Sequence, residues 1–149
     1  MANQTPDLSA MSGLELLRAM MPMLNDVPNI GRTIGMEVGT LEDGKVEFHL
    51  TTKPDHANPL GSVHGGVCAT LLDSVMGCAV HTTLDPGVGY STLELKVNYI
   101  RTVPTDGVRL TGTGTVIHRG RSTATAEGTV HDDQGRLVAH ATTTCLIHS

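Results

Sequence analysis

The sequence is poor in aromatic side chains and in positive charge. It has no tryptophan, one phenylalanine and two tyrosines, so its core must be built mainly from aliphatic side chains. Ten basic residues against fifteen acidic ones leave a net charge of −5, which removes any general attraction to nucleic acid or to anionic membranes. No stretch has the roughly 18 consecutive apolar residues that a membrane-spanning helix needs. We therefore expect a protein that binds neither nucleic acid nor membrane.

Cysteine usage and the N-terminus indicate the compartment. The three cysteines, Cys68, Cys78 and Cys145, are an odd number and cannot all pair within the chain. Such usage is typical of a reducing compartment. The N-terminus lacks the basic and then apolar plan of a secretory signal. The sequence thus predicts a cytoplasmic protein. Its histidines show no paired metal-ligand spacing, so neither a metal nor another cofactor is expected.

The pattern along the chain predicts one domain over residues 1–149, with a loose lead-in at 1–11. The capping-box spacing of Ser12 and Glu15 predicts a short N-terminal helix. The Asp43-Gly44 step predicts a hairpin turn. Alternating apolar residues predict strands over 33–41, 46–50, 92–99, 108–117, 123–130 and 137–147.

The most informative stretch follows His64-Gly65-Gly66. From Val67 to Val80 the side chains are apolar or small except Thr70, Asp73 and Ser74, which predicts a buried helix over about 65–82. A carboxylate inside such a helix is costly unless it has a partner or a function. Asp73 is therefore a candidate catalytic acid, with a structural hydrogen bond to a neighbouring strand as the alternative.

One long apolar helix among mostly antiparallel strands predicts an α+β fold in which the sheet wraps around the helix. One flank of that helix would remain uncovered by the sheet. We therefore expect a second copy of the chain to cover it.

From about residue 33 to 147 the sequence resembles the hotdog-fold acyl-CoA thioesterases. The resemblance is greatest to the phenylacetate-degradation type and to those 4-hydroxybenzoyl-CoA thioesterases that carry their acid on the long helix. It rests on Asn58, on His64-Gly65-Gly66, on Asp73 and on the strand 93–101. It implies an antiparallel sheet around a long buried central helix, with a short N-terminal helix. It also implies hydrolysis of an aryl- or medium-chain acyl-CoA to free acid and CoA by a homodimer, assembled further into a homotetramer.

The resemblance also implies roles for particular residues. Asp73 would act as base or nucleophile, and the backbone N–H of Gly65 would polarise the thioester carbonyl. Asn58 would help to place the reactants. Thr92 would orient the water, with Ser91 as the neighbouring alternative.

Further residues are implied around this set. Gly66 would contact the substrate. His64 is either catalytic, a side chain that hydrogen-bonds the Asn58 loop, or a histidine whose hydrogen bonds are satisfied at the start of the helix. For the phosphates of CoA the implied counter-charges are Arg101, Arg119 and Arg121, with Ser122 beside them; a solvated hairpin turn is the alternative for the last two arginines.

Spacing adds a geometric constraint of its own. Gly65 and Asp73 are eight residues apart, or about 12 Å along a helix, so one carbonyl group cannot reach both. Two antiparallel helices in a symmetric dimer would bring Gly65 of one copy to Asp73 of the other.

Two other functions and one other nucleophile remain open. A hydratase-type hotdog enzyme would need a histidine where this chain has Leu60, five residues after Asp55. A non-catalytic acyl-CoA-binding protein would have no need of Asp73. Cys68 could be a nucleophile, although no base is close to it in sequence.

Overall fold

The structure is a computed structural model that describes residues 7–148. Its helices are α1 (Gly13–Met20), α2 (Ile30–Ile34) and α3 (Gly65–His81), and a short 3-10 turn lies before α1, after α1 and before α3. The predicted capping box is present at α1, where the Ser12 hydroxyl accepts from the Glu15 N–H and the Glu15 carboxylate accepts from the Ser12 N–H. Part of the predicted lead-in is ordered as a 3-10 turn over Leu8–Ala10, and residues 1–6 lie outside the described part.

Six strands form one antiparallel sheet in the order β1-β2-β4-β5-β6-β3. Their bounds are β1 Met36–Glu42, β2 Lys45–Thr51, β3 Gly89–Tyr99, β4 Arg109–Arg119, β5 Thr123–His131 and β6 Leu137–His148. The sheet packs against α3, whose inner side chains Leu71, Leu72, Val75, Met76, Ala79 and Val80 are fully buried. This is the predicted hotdog arrangement, in which a sheet wraps around one long helix.

The first predicted strand begins too early. Residues 33 and 34 belong to α2, which Asn29 caps at its start by accepting from the Arg32 N–H. Gly35 ends α2 with a φ of 82°, a left-handed conformation that glycine adopts at low cost. A helix of five residues is too short to produce a readable apolar period, so the sequence did not reveal it.

Glycines in two central strands let α3 approach the sheet closely. A Cβ atom on Gly114 would lie 2.3 Å from the Val75 carbonyl oxygen, and one on Gly128 would lie 2.9 Å from the Met76 Cγ. Any larger residue at these two positions would push the helix away from the sheet, and glycine avoids this because it has no side chain. This close packing fixes the height of α3 above the sheet and hence the position of its outer face.

The opposite face of α3 is only partly covered. We call it the open flank; it comprises Gly66, Ala69, Thr70, Asp73 and Ser74, none of which is buried. Asp73 is thus half-buried in the single chain, less than its apolar surroundings in sequence predict. Beside it, edge strand β3 presents Leu93 and Tyr99 with more than half of each side chain exposed. An open flank next to an apolar sheet edge is the surface that a second copy was expected to cover.

Candidate active site

Asp73 and Thr92 face each other between α3 and β3. The Thr92 hydroxyl donates to Asp73 Oδ1 over 2.8 Å. The neighbouring Ser91 hydroxyl points elsewhere and lies 2.7 Å from His148 Nε2. Of the two candidate hydroxyls, Thr92 is therefore the one next to the carboxylate, and Asp73 Oδ2 has no hydrogen-bond partner among residues 7–148.

A bulge in β3 produces this orientation. Thr92 lies opposite Cys145 and Glu94 lies opposite Thr144, so Leu93 is an extra residue that the partner strand does not match. The alternation of apolar residues predicted that Leu93 would face the core. Instead it is 56 % exposed, because the bulge shifts the alternation by one position and turns Thr92 toward Asp73 on α3.

Gly65 begins α3 and has a backbone N–H that finds no acceptor among residues 7–148. The N–H of the next residue, Gly66, donates to His64 Nδ1 over 2.8 Å and is therefore occupied. Tyr99 packs its ring against Gly65, where a Cβ atom would lie 3.0 Å from the Tyr99 Cζ, and donates its hydroxyl to the Gly65 carbonyl oxygen over 2.7 Å. Gly65 thus presents the free N–H at the positive end of the helix dipole.

His64 is a satisfied histidine at the start of the helix, one of the alternatives that the sequence left open. Its ring caps its own helix, where Nδ1 accepts from the Gly66 N–H, rather than bonding to the Asn58 loop. The physical reason is that an N-terminal N–H of a helix lacks a helical acceptor, and the His64 Nδ1 is the nearest one available. His64 is connected to the preceding loop through its backbone, since its N–H donates to the His56 carbonyl oxygen over 2.8 Å.

The loop before α3 is held by two side chains. Asn58 Oδ1 accepts from the N–H groups of Leu60 and Ser62, and Asn58 Nδ2 donates to the Ser62 hydroxyl over 3.0 Å. One Nδ2 hydrogen is left for a ligand. His56 is buried and lies 2.8 Å from the Ile34 carbonyl oxygen. Neither His56 nor Tyr99 was singled out from the sequence as part of the site, since no spacing links them to the helix start.

A cavity of about 250 Å³ adjoins the helix start. Its lining includes Asn58, Gly65, Cys68, Tyr99 and Arg101. Asp73 is not part of this lining. Because α3 runs without interruption from Gly65 to His81, Asp73 lies about 12 Å along the helix from the Gly65 N–H. The cavity and the carboxylate are therefore separate within one chain.

The predicted phosphate-binding residues fall into two groups. Arg101 follows β3 beside the start of β6, where its N–H donates to the Val138 carbonyl oxygen. Arg121 lies beside the end of β6, where the Ser122 carbonyl oxygen accepts from the Ile147 N–H over 2.9 Å. Nine steps of extended chain separate Val138 from Ile147, or about 30 Å. One chain cannot bring these groups to the same phosphate.

The β4–β5 turn itself contains one constrained arginine and two exposed residues. The Arg119 guanidinium donates to the Gly120 carbonyl oxygen, while its Nε is buried with no hydrogen-bond partner in the described part of the chain. Arg121 and Ser122 are exposed. Only these last two side chains are free to meet a ligand as the turn stands.

The thiols are poorly suited to nucleophilic chemistry. Cys68, Cys78 and Cys145 are unpaired. Burial raises the pKa of the Cys68 thiol to about 11, so almost none of it is thiolate at neutral pH. Among residues 7–148 no group of three or more His, Cys, Asp or Glu side chains is arranged to hold a metal ion. None of the helices described for this chain has the length and apolar character needed to cross a membrane.

The sequence profile described as "Thioesterase superfamily" matches residues 60–139, which is more than half of the chain and includes α3 and β3. The chain belongs to the thioesterase superfamily. The predicted family, the hotdog fold and the enzyme class of thioester hydrolase are therefore confirmed.

This thioesterase is similar to proteins from bacteria and animals. The 1,4-dihydroxy-2-naphthoyl-CoA hydrolase of Listeria monocytogenes is 28% identical over 106 residues, which cover 71% of this chain and 85% of the relative. Human acyl-coenzyme A thioesterase 13 is 26% identical over 125 residues, covering 83% and 88%. The structure of a phenylacetic acid degradation-related protein of Ralstonia eutropha has a TM-score of 0.77 and 31% identity, covering 91% of this chain and 99% of that one.

Proposed function

We propose that the protein hydrolyses acyl-CoA thioesters at a site shared by two copies of the chain. Asp73 acts as base or nucleophile, Thr92 orients it, and the Gly65 N–H of the other copy stabilises the oxyanion. The carbonyl carbon gains an oxygen that derives from water, the C–S bond breaks, and CoA leaves as the thiol. The observation that carries the proposal is the carboxylate of Asp73 on the open flank, hydrogen-bonded by Thr92 and about 12 Å along one helix from the free Gly65 N–H.

Antiparallel pairing of two α3 helices across their open flanks brings these groups together. Gly65 of one copy then lies beside Asp73 of the other, and the reverse contact forms by symmetry. The surface suits such contact, because the open flank carries small side chains and the adjacent sheet edge exposes Leu93 and Ile100.

The same pairing unites the two groups of basic residues. Thr92, Cys145 and Ala124 lie opposite one another across β3, β6 and β5, so the turn containing Ser122 is about 10 Å from Thr92 of its own copy. Arg101 lines the cavity beside Gly65. A site built from Asp73 of one copy and Gly65 of the other thus has Arg121 and Ser122 on one side and Arg101 on the other.

The remaining residues have positioning roles in this proposal. His64 occupies the Gly66 N–H and leaves the Gly65 N–H as the oxyanion donor. Gly66 allows the substrate to pass close to the backbone. Asn58 holds the preceding loop and offers one N–H to the reactants. Arg119 supports the β4–β5 turn through its contact with Gly120.

We also propose that two such dimers form a homotetramer and that the protein works in the cytoplasm. The outer face of the sheet has a shallow cavity of about 180 Å³ lined mainly by threonines of β4, β5 and β6, a surface on which a second dimer can pack. Three unpaired cysteines fit a reducing compartment. Light scattering after size-exclusion chromatography gives the number of copies directly.

The function is tested by thiol release from aryl, short-chain and long-chain acyl-CoAs. We expect turnover by the wild type and a loss of about 10²–10⁴-fold in Asp73→Asn, the usual contribution of a catalytic base. Asp43→Asn makes the same change in the exposed β1–β2 turn and should keep full activity. If Asp73→Asn keeps more than about a tenth of the turnover, Asp73 does not have the proposed role.

A further inference from the structure

Tyr90 occupies the space on α3 one turn beyond Asp73. A Cβ atom on Gly77 would lie 2.6 Å from the Tyr90 hydroxyl oxygen, so that hydroxyl is where a side chain at position 77 would begin. Asp73 and Gly77 are four residues apart and share one face of the helix. Asp73 with Thr92 and Gly77 with Tyr90 are therefore adjacent contacts between α3 and β3, about one helical turn of 5.4 Å apart.

The Tyr90 ring continues into a second contact further along the same face. His81 is four residues after Gly77, and the His81 and Tyr90 rings pack at a centroid distance of 5.6 Å with an angle of 56°. Burial raises the pKa of the Tyr90 hydroxyl, and nearby Cys78, Cys145 and Asp73 add to the rise. Burial also lowers the pKa of the His81 ring. The two rings thus form an uncharged wall across the C-terminal half of α3.

A cavity lies beyond this wall. It has a volume of about 420 Å³, and its lining includes Met11 and Leu16 near the N-terminal helix, His81 of α3, and Val88 before β3. His81 is part of the lining and Tyr90 is not, although the two rings pack on each other. The cavity is large enough for several methylene groups, and the contact of Tyr90 with Gly77 lies between Asp73 and His81 along α3.

We propose that Tyr90 closes the acyl end of the active site, so that the pocket next to Asp73 accepts a short acyl chain or a single ring and excludes longer chains. This inference rests on the proposed function. In the antiparallel dimer the second helix covers the N-terminal half of the open flank, and the acyl group must leave Asp73 toward Gly77. There it meets the Tyr90 hydroxyl after about one helical turn.

The experiment compares kcat/KM for butyryl-, phenylacetyl- and decanoyl-CoA in the wild type and in Tyr90→Leu, Tyr90→Ala and Tyr90→Phe. We expect the wild type to favour butyryl- or phenylacetyl-CoA. The ratio of decanoyl to butyryl activity should rise by at least about tenfold in Tyr90→Leu and Tyr90→Ala, the value of one buried methylene group or more. Tyr90→Phe keeps the ring and should keep the wild-type ratio.

A second substitution tests whether the longer acyl chain accepted by Tyr90→Leu enters the cavity beyond the wall. Leu16→Trp fills that cavity from α1. In the wild-type background it should leave the ratio unchanged, and in the Tyr90→Leu background it should cancel the gain. A wild type that already cleaves decanoyl-CoA as well as butyryl-CoA overturns the proposal. So does a folded Tyr90→Leu variant with an unchanged ratio. A gain that Leu16→Trp leaves intact supports closure by Tyr90 and places the longer chain outside this cavity.

Binding of non-hydrolysable S-alkyl-CoA thioethers, measured by calorimetry, separates this inference from the proposed function. If the wild type cleaves no thioester but binds S-butyl-CoA more tightly than S-decyl-CoA, the proposed function fails and the closed pocket stands. Equal or tighter binding of S-decyl-CoA overturns the closed pocket whatever the activity.

Discussion

The Thr92 hydroxyl donates to Asp73 Oδ1 over 2.8 Å because a bulge at Leu93 turns Thr92 toward α3. A hydrogen bond to a charged group contributes about 1.5–3 kcal/mol, and here it also fixes the rotamer of the carboxylate. The free Oδ2 is thereby held in one direction.

We therefore expect Thr92→Val to lower kcat by about 10–100-fold, the equivalent of that hydrogen bond. Ser91→Ala is the matched control, because the Ser91 hydroxyl contacts His148 and not Asp73. Its kcat should stay close to that of the wild type. The assignment of Thr92 is wrong if the two variants lose activity equally or if Ser91→Ala loses more.

Arg101 lies at the mouth of the Gly65 cavity and is exposed. We expect Arg101→Ala to raise KM for acyl-CoA more than it lowers kcat, since a phosphate contact far from the carbonyl binds ground state and transition state alike. Rising salt should weaken wild-type binding, because dissolved ions screen an exposed contact between arginine and phosphate.

Two controls isolate the phosphate contact. An acyl-pantetheine substrate, which lacks the nucleotide, should not respond to Arg101→Ala. Arg109→Ala removes an arginine that pairs with Glu37 at 3.1 Å on another part of the sheet, and it should leave KM unchanged. Equal sensitivity of both substrates to Arg101→Ala would remove Arg101 from the phosphate site.

The buried thiol of Cys68 predicts a dependence of stability on pH. Its pKa is raised from 9.0 to about 11, so between these values the folded state holds a proton that the unfolded state has lost. The contribution of this thiol to the free energy of unfolding should therefore be complete below pH 9 and decrease as the pH rises toward 11. Denaturant titrations on both sides of pH 9 should show a smaller fall in Cys68→Ala than in the wild type.

The same variant tests the chemistry. A thiol that is almost wholly protonated at neutral pH is no nucleophile, and Cys68→Ala should keep most of its turnover. A loss as large as that of Asp73→Asn would instead make Cys68 the nucleophile.

The parts of the fold that were predictable from the sequence are those with a long, uniform pattern. The apolar run from Val67 to Val80 predicted α3 to within a residue at its C-terminal end, and the Asp43-Gly44 step predicted the first hairpin. The short helix α2 was missed because five residues give no period.

Residues of the candidate site were predictable where a local sequence motif identifies them. They were not predictable where contacts between distant parts of the chain determine their position. A single carboxylate within an apolar run identified Asp73 as a candidate acid. The run could not show that a bulge turns Thr92 toward α3, that Tyr99 packs on Gly65 across 34 residues, or that Tyr90 fills the space above Gly77. Each of these contacts joins a strand to the helix and depends on the register of that strand. A bulge shifts the register by one residue and moves the side chains to the other face, and the apolar pattern does not reveal such a shift.

The proposed two-copy site also predicts which copy supplies which group. Gly65→Pro deletes the proposed oxyanion donor, and proline is tolerated at the first position of a helix. His64 already has a ψ of 136°, as a residue before proline requires. Losing the donor should cost about 10²–10³-fold in kcat. Gly65→Ala is the matched control, because it adds a Cβ near Tyr99 as proline does but keeps the N–H.

The most direct measurement mixes two inactive variants, Asp73→Asn and Gly65→Pro, each first shown to be folded and dimeric. They are unfolded together in equal amounts, refolded and assayed for thiol release. If each site joins Gly65 of one copy to Asp73 of the other, about half of the dimers are mixed and each has one intact site, so activity should return to about a quarter of the wild-type value. If both groups came from one chain, every site would carry a defect, and activity that stayed at the level of the parents would contradict the two-copy site.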